Sequence, residues 1–200
     1  MSEKFYLNSD IKEICENLKR YEKIISGKKF LISGANGFLG KYFTKTIDEF
    51  NKIYKKNIRL TVIDNLAMNK NIFAKTLNSK NINFINADAS KKIKINKSLD
   101  YIIHAAGIAS PFYYRAKPLE TLDVAVNGLR NILDIAKKRK TKVLFFSSSE
   151  IYGDPDINQI PIKEEYRGYV NTMGPRACYD EGKRLGETLC YIYNTKFKLH

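Results

Sequence analysis

Short apolar runs alternate with longer segments of helical periodicity along most of this 200-residue chain. Five runs have the length and composition of buried strands: residues 29–33, 59–63, 81–87, 101–104 and 142–147. In residues 38–50 and 118–138 the apolar side chains recur at three- and four-residue spacing, which is the period of an amphipathic helix. Because strands alternate with helices, the sequence predicts an α/β fold with a doubly wound parallel sheet.

The residues before the first strand carry a separate helical pattern. Apolar residues at helical spacing are Ile11, Ile14, Cys15, Leu18, Tyr21 and Ile25. Asp10 and Glu13 have the spacing of a capping box at the start of this helix. We therefore expect a helical packing extension over residues 1–28 and one domain over residues 29–200.

A glycine-rich turn follows the first strand. Gly34, Gly37 and Gly40 lie in GANGFLG with the spacing GxxGxxG, whereas the usual dinucleotide fingerprint is GxGxxG. Such glycines permit a tight turn, a close approach of the backbone to phosphate, and close packing of helix on strand. The exposed amides and the dipole of the next helix favour a diphosphate there. The turn thus predicts a Rossmann-like dinucleotide-binding domain.

Acidic and small residues follow the next three strands. Asp64 ends the second strand about twenty residues past the glycine turn, where a carboxylate binds the adenosine ribose and repels a 2′-phosphate, so NAD is favoured over NADP. Alternatively, Asp64 only caps a turn with Asn65. We expect the adenine near Asp88, at the end of the third strand. The small residues 105–107 let a cofactor lie close to the backbone, and we interpret His104 as structural.

Tyr179 and Lys183 stand four residues apart in a helix-favouring stretch, and so share one helix face. A nearby ammonium stabilises the phenolate and brings the tyrosine pKa from about 10 towards that of a general base. YxxxK is common by chance, and the alternative is a solvated helix surface. The fifth strand delivers residues 147–150 to the same carboxyl edge as the glycine turn.

Four motifs together, GANGFLG, HAAG, SSSEIYG and YDEGK, resemble the extended short-chain dehydrogenase/reductases that act on nucleotide sugars. The resemblance covers roughly residues 28–196. Within this family, residues 109–111, the GDP that follows IYG, and VNTMGPRACYDEGKRLGETLCYIY are most similar to UDP-glucuronate decarboxylases, also called UDP-xylose synthases.

The resemblance implies NAD as cofactor and a UDP-linked sugar as substrate. The NAD contacts that it implies are Gly34, Gly37, Phe38, Leu39, Asp64 and Lys183; the positions argued above add Gly40, Asp88, Ala105 and Ala106 as cofactor-binding candidates. Tyr179 would take the proton of the 4-hydroxyl, Ser148 would relay it, and Glu150 would lie near the reacting carbons. Oxidation at C4 makes the glucuronate a β-keto acid, which loses carbon dioxide and yields UDP-xylose. Catalysis would then rest on Tyr179, Lys183, Ser148 and Glu150, without a metal.

Other reactions of the family stay open. A 4,6-dehydratase carries an Asp-Glu pair, but Ser149 occupies the Asp position, and a serine is a poor proton donor. A nucleotide-sugar epimerase needs no such acid. Ala125 replaces a family Asn in the proton relay, and Asn127 is expected to face elsewhere on the helix. Asp123 stands where decarboxylases commonly carry a Lys near the substrate.

Length also bears on function. Members of the family continue beyond the catalytic helix into a smaller sugar-nucleotide domain, so we expect an incomplete copy that lacks the C-terminal sugar-binding portion. A catalytically silent NAD-binding or scaffold protein is the alternative. The resemblance also implies a homodimer in which helices at about 117–138 and 174–195 pair between subunits. Leu185, Leu189, Ile192 and Tyr193 suit this pairing or an internal core.

The net charge of +14 and pI of about 9.6 raise another class, a basic nucleic-acid-binding module. The lysines are spread over residues 52–56, 91–97 and 137–142, which is typical of solvated surfaces, so we expect no nucleic-acid partner. Cys15, Cys178 and Cys190 lack metal-ligand or disulfide spacing. No signal-like start or membrane-length apolar run is evident, and we expect no membrane partner and a cytoplasmic location.

Overall fold

The computed structural model describes residues 6–68, 70–95 and 97–200. Their strands form one parallel sheet in the order β3-β2-β1-β4-β5. The strands are β1 (Lys29–Ser33), β2 (Arg59–Asp64), β3 (Ile82–Asn86), β4 (Tyr101–His104) and β5 (Lys142–Phe145). The chain steps from β1 to β3 in one direction and then from β4 to β5 in the other. The predicted doubly wound α/β fold is therefore confirmed, with its switch point between β1 and β4.

Helices precede, connect and follow these strands, except between β3 and β4, where the described residues contain no helix. They are α1 (Asn8–Leu18), α2 (Glu22–Ile25), α3 (Phe38–Ile53), α4 (Phe73–Thr76), α5 (Pro111–Ala116), α6 (Pro118–Asp123), α7 (Leu129–Arg139) and α8 (Ala177–Phe197). A π-helical segment, Val124–Gly128, joins α6 to α7, so the helix predicted over residues 118–138 is present but locally widened. No helix in the described parts of the chain is long and apolar enough to cross a membrane.

The sheet is packed on both faces. Leu31 faces a core that contains Ile63, Ile102 and several residues of α7 and α8. Ile32, the next residue of β1, belongs to the opposite core beside α3. Neighbouring residues separate in this way because successive side chains of a strand point to opposite faces. Both layers hold the carboxyl edge of the sheet in a fixed position.

Two predicted strands are shorter in the structure. β3 covers Ile82–Asn86, one residue less at each end than predicted, and β5 ends at Phe145 instead of residue 147. The apolar run continues past Phe145, but the Ser148 side chain accepts a hydrogen bond from the Glu150 amide and starts a 3₁₀ turn, Ser149–Tyr152. The pairing with β4 stops at Phe145, and the backbone turns only after Ser148, which is still extended.

The N-terminal helix packs against α3, where Ile11 and Cys15 are buried beside Phe50 and Ile58. The predicted capping box is wrong, because α1 begins at Asn8 without any side-chain cap. Asp10 instead accepts a hydrogen bond of 2.8 Å from the Tyr42 hydroxyl. A tertiary partner thus replaces the local one. The division into an extension, residues 1–28, and a domain, residues 29–200, stays a prediction.

Candidate active site

A cleft of about 390 Å³ opens at the carboxyl edge of β1, β2, β3 and β4. Its lining includes the predicted cofactor residues Gly34, Gly37, Asp64, Asp88, Ala105 and Ala106. The cleft lies where the strand order reverses, which is the usual ligand site of open α/β sheets. Phe38, Leu39 and Gly40 are at the start of α3 and do not belong to its lining.

The glycine turn is fixed by close backbone contacts. Gly34 has φ +74°, and a Cβ there would lie 2.6 Å from the carbonyl oxygen of Ala105. A Cβ on Gly40 would lie 2.6 Å from the Cα of Ala35, so only glycine brings α3 this close to the turn. A Cβ added to Gly37 would have one neighbour within 4 Å outside the adjacent residues and the helix backbone, the Gly34 carbonyl oxygen at 3.3 Å. Gly37 therefore leaves its backbone open to a ligand.

The N-terminus of α3 offers hydrogen-bond donors beside this turn. The helix begins at Phe38, and its first hydrogen bond to the turn runs from the Lys41 amide to the Gly37 carbonyl. The amides of Phe38 and Leu39 therefore have no acceptor within the helix. The Phe38 side chain is 70% exposed and packs edge-on against Tyr42. An anion at this end would contact backbone, not the phenyl ring.

Asp64 joins the glycine turn to the end of β2. Its Oδ2 accepts a 2.8 Å bond from the Asn36 amide, and its Oδ1 accepts one of the same length from the Leu66 amide. Asp64 thus caps a turn, as one interpretation held, while it also lines the cleft. Each oxygen keeps a lone pair for a ribose hydroxyl. Its negative charge would repel a phosphate at the same place.

Small residues shape the other walls. Ala105 and Ala106 follow β4, and the Ala105 amide donates to the Ser33 carbonyl at 3.0 Å, which holds this segment beside the glycine turn. Asp88 lies past β3, where its Oδ1 accepts a hydrogen bond from the Ser90 amide. The lining of the cleft therefore combines glycines and alanines with the carboxylates of Asp64 and Asp88.

Tyr179 lies in the first turn of α8, where its ring stacks on that of Tyr114. The ring centroids are 5.2 Å apart with an interplanar angle of 14°. Tyr114 is only 2% exposed, so it gives Tyr179 a rigid support. The Cys178 thiol donates to the Tyr114 carbonyl and ties the same two segments together. The sequence has no local signal for this pairing, because the two tyrosines belong to separate helices.

Lys183 is one helical turn further along α8. Its Nζ donates to the Phe146 carbonyl at 2.5 Å and lies 5.8 Å from the centroid of the Tyr179 ring. Burial lowers the pKa of Lys183 to about 8. The predicted proximity to Tyr179 is present, although the ammonium uses one of its three donors to hold the end of β5.

Two arginines of the α8 region hold the turn that carries Ser148 and Glu150. Arg176 forms an ion pair with Glu150, and its Nε lies 3.6 Å from Asp180 Oδ2. Arg184 donates to the Ile151 carbonyl at 3.0 Å. The ion pair with Arg176 therefore places Glu150 beside the start of α8, the helix that carries Tyr179. Arg176 was not predicted as a site residue; its spacing of four from Asp180 was the available signal.

His104 and Ser147 are buried behind the cleft. His104 is 1% exposed, and its Nδ1 lies 2.6 Å from the Ser33 hydroxyl. Burial, with a further contribution from the Lys183 charge, lowers the pKa of His104 to about 3. The imidazole is thus neutral near pH 7. Its Nε2 and the Ser147 hydroxyl have no hydrogen-bond partner among the described residues.

The departures from the family pattern lie beside α8. Ala125 belongs to the π-helical segment, and its Cβ is 2.9 Å from where a Cβ on Gly182 would stand. Asn127 is exposed and donates to Asp123 Oδ1 at 3.1 Å. Asp123 lines the cleft and places a carboxylate there. No residue in the described structure supplies an Asn amide at the position of Ala125.

The parallel sheet and the glycine turn at its switch point define the class of protein, a doubly wound α/β fold of the dinucleotide-binding type. The chain belongs to the NAD dependent epimerase/dehydratase family, which matches residues 30–200. UDP-glucuronic acid decarboxylase 1 of Xenopus tropicalis is 40% identical over 167 residues, which are 83% of this chain and 37% of that protein.

Two solved structures share the fold. A UDP-galactose 4-epimerase has a TM-score of 0.68 and 24% identity over 86% of this chain and 53% of that one. The dTDP-glucose 4,6-dehydratase DesIV of Streptomyces venezuelae, solved with NAD and TYD, has a TM-score of 0.70 and 18% identity over the same shares. The chain spans well under half of the decarboxylase it matches and about half of these structures.

Proposed function

We propose that this chain is the cofactor-binding half of an NAD-dependent UDP-glucuronate decarboxylase that forms UDP-xylose. The observation that carries the proposal is the convergence of Tyr179, Lys183 and the Arg176–Glu150 ion pair at the edge that bears the glycine turn. The 40% identity with a protein named UDP-glucuronic acid decarboxylase supports the same reaction.

The cleft fits NAD. The amides at the start of α3 would hold the diphosphate, Asp64 the adenosine ribose, and Lys183 the nicotinamide ribose. Asp88 would border the adenine, and Ala105 and Ala106 would let the dinucleotide pass close to the sheet. Bound there, NAD would supply reversible hydride transfer at C4 of the sugar.

Tyr179 is proposed as the base that accepts the proton of the sugar 4-hydroxyl. Its ring is held by Tyr114, and the Lys183 ammonium stands one helical turn away, 5.8 Å from the centroid of the Tyr179 ring. With a pKa of about 8, Lys183 is mostly protonated at pH 7. Ser148 would relay the proton, since its hydroxyl both donates and accepts hydrogen bonds.

Arg176 favours a substrate that carries a carboxylate. Its guanidinium is 43% exposed, and beyond its contacts with Glu150 and Asp180 it retains donors for a further anion. We propose that Arg176 supplies the cation that Asp123 does not. Ser149 leaves this turn without the acid that a 4,6-dehydratase needs.

An epimerase would use the same Tyr179–Lys183 pair. Arg176 distinguishes the two proposed reactions, because a neutral hexose offers it no carboxylate.

We also propose a homodimer. Leu185 and Ile192 of α8 are 43% and 41% exposed, whereas Leu189 and Tyr193 pack into the core. Only the first two therefore remain for a second subunit.

Titration calorimetry tests the cofactor site on this chain. We expect saturable NAD binding, much weaker NADP binding, and NAD affinity within about twofold of wild type for Tyr179→Phe, since the phenol hydroxyl is not part of the diphosphate site. Turnover is measured on the complete reading frame as carbon dioxide released from UDP-glucuronate. Tyr179→Phe should abolish it; a phenylalanine variant that still turns over would refute the base, and absent NAD binding would refute the cofactor site.

A further inference from the structure

A second cleft, here called the amino-edge cleft, lies at the opposite end of the sheet from the glycine turn. Its volume is about 580 Å³. It is lined by Lys29, Phe30, Asn57, Arg59, Leu60, Thr61, Lys80, Asn81, Asn83, Lys97, Ser98 and Leu99. These residues begin β1 and β2, precede or begin β3, or lie before β4. The cleft has no residue in common with the candidate active site.

The amino-edge cleft is positively charged. Four of the lining residues are cations, and none of those described is an acid. Lys29 pairs with Arg59 in the parallel register of β1 and β2, so the two side chains stand next to each other on one face. Like charges opposed on paired strands repel each other. An anion between them would remove this repulsion.

A single neighbouring acid offsets only part of this positive charge. Asp100 forms an ion pair with the Lys28 ammonium at 3.3 Å and accepts a hydrogen bond from the Lys29 backbone amide at 2.8 Å. The Lys29 ammonium donates to the Ser98 hydroxyl. Within the described ranges, Arg59 and Lys80 make no ion pair.

The connection from β3 to β4 leaves this part of the sheet open. The described residues of that connection, 87–95 and 97–100, contain no helix. Polar Thr61 and Asn83 therefore line the cleft where a crossover helix would otherwise require apolar residues. The cleft cations are on strands and loops, so they differ from Lys137 and Lys138, which end α7 and complement its dipole.

We propose that the amino-edge cleft is an anion-binding site that takes a linear di- or triphosphate, free or as part of a nucleotide. The Arg59 guanidinium can bind phosphate oxygens with two parallel hydrogen bonds, and the lysine ammoniums add point charges. The amides of Asn57, Asn81 and Asn83 provide neutral donors. The volume is within the range of small-ligand pockets.

Calorimetric titration of this chain with inorganic tripolyphosphate at physiological ionic strength tests the site. We expect one saturable site, and the double variant Arg59→Gln/Lys80→Gln should bind at least about tenfold more weakly, because two charge-assisted contacts are lost. The matched control is Lys12→Gln/Lys138→Gln, two exposed lysines of α1 and α7 that lower the net charge equally. The control should remain within about twofold of wild type.

Four further results decide the proposal. An equal loss in both double variants would show a diffuse effect of net charge and would overturn it, as would the absence of saturable binding. ATP in place of tripolyphosphate separates the sources: equal affinity indicates phosphate alone, and tighter binding indicates a nucleotide. NAD affinity should not change in the Arg59→Gln/Lys80→Gln variant, since a loss there would place the anion in the other cleft and overturn the assignment.

Discussion

The two sides of the candidate active site are built in different ways. On the side of β1 and β2, here called the cofactor side, the surface is mostly main chain, shaped by Gly34, Gly37 and Gly40. On the side of β5 and α8, here called the reaction side, the surface consists of side chains that meet from separate parts of the chain, such as Tyr179 on Tyr114. The first side depends on local backbone geometry, and the second on tertiary packing.

The two sides also differ in electrostatics. Asp64, on the cofactor side, accepts hydrogen bonds from two amides that do not titrate. The reaction side contains the buried Lys183, and His104 at the end of β4 stacks on Phe145 of this side. Burial lowers the pKa of Lys183 to about 8 and that of His104 to about 3. Substitutions at the glycines should therefore change stability by steric overlap, whereas substitutions at the buried bases should change how stability depends on pH.

The largest effect is expected from Gly40→Ala on the cofactor side. The new Cβ would meet backbone atoms of Gly34 and Ala35 that cannot move away separately. We expect the free energy of unfolding to fall by about 3 kcal/mol or more, with loss of NAD binding, because overpacking here displaces the whole turn. Chemical denaturation and calorimetry measure both.

Gly174→Ala is the matched control for the glycine prediction. The nearest atom to its added Cβ would be the Asn171 Nδ2, 3.6 Å away, which is ordinary contact. The free energy of unfolding should change by less than about 0.5 kcal/mol. If Gly40→Ala behaved like this control, the cofactor side would not depend on close backbone packing.

A smaller effect is expected from His104, which should make stability depend on pH. The pKa of His104 is lower in the folded protein than the 6.5 of the unfolded chain, so acid protonates the unfolded chain first. Stability should therefore fall as the pH drops below 6.5, by about 2–3 kcal/mol between pH 6.5 and 4.5 from this residue. His104→Asn should have a flatter melting-temperature profile over this range.

The other histidine of the chain supplies the control. His200 is exposed, and its backbone carbonyl accepts from the Val143 amide, a bond that His200→Asn leaves intact. This variant should keep the acid slope of wild type. Parallel profiles for wild type and His104→Asn would show that the acid sensitivity arises elsewhere, and the electrostatic contrast between the two sides would fail.

The contrast also explains how far the sequence could predict the molecule. The glycine turn was predicted because its geometry depends on residues close together in the chain, and the strands were found because buried parallel strands are continuous apolar runs. The Arg176–Glu150 pair joins segments 26 residues apart, and no local pattern encodes it. The capping box failed for the same reason, since Asp10 met Tyr42 from another helix.

The smallest change in stability is expected from Lys183→Met, and it should be a gain, unlike the loss expected from Gly40→Ala. Between pH 8 and 10.5 the unfolded chain holds a proton that folded Lys183 has lost, so wild-type stability should rise with pH through this window. The methionine variant should lack this rise. At pH 7 it should be more stable by about 1–2 kcal/mol, since the unfavourable burial of charge outweighs the lost bond to Phe146.

Lys196→Met, an exposed change near the end of the same helix, controls for added hydrophobicity and should give no such gain. Lys183→Met should at the same time weaken NAD binding, because the proposed ribose contact is gone. Higher stability with weaker binding would identify Lys183 as a group kept for function at a cost to the fold, whereas Gly40→Ala lowers stability and binding together. If Lys183→Met instead destabilised the protein at pH 7, the hydrogen bond from Lys183 to Phe146 would outweigh the cost of burying the charge. Stability and NAD binding would then fall together on the reaction side, as they do for Gly40→Ala on the cofactor side.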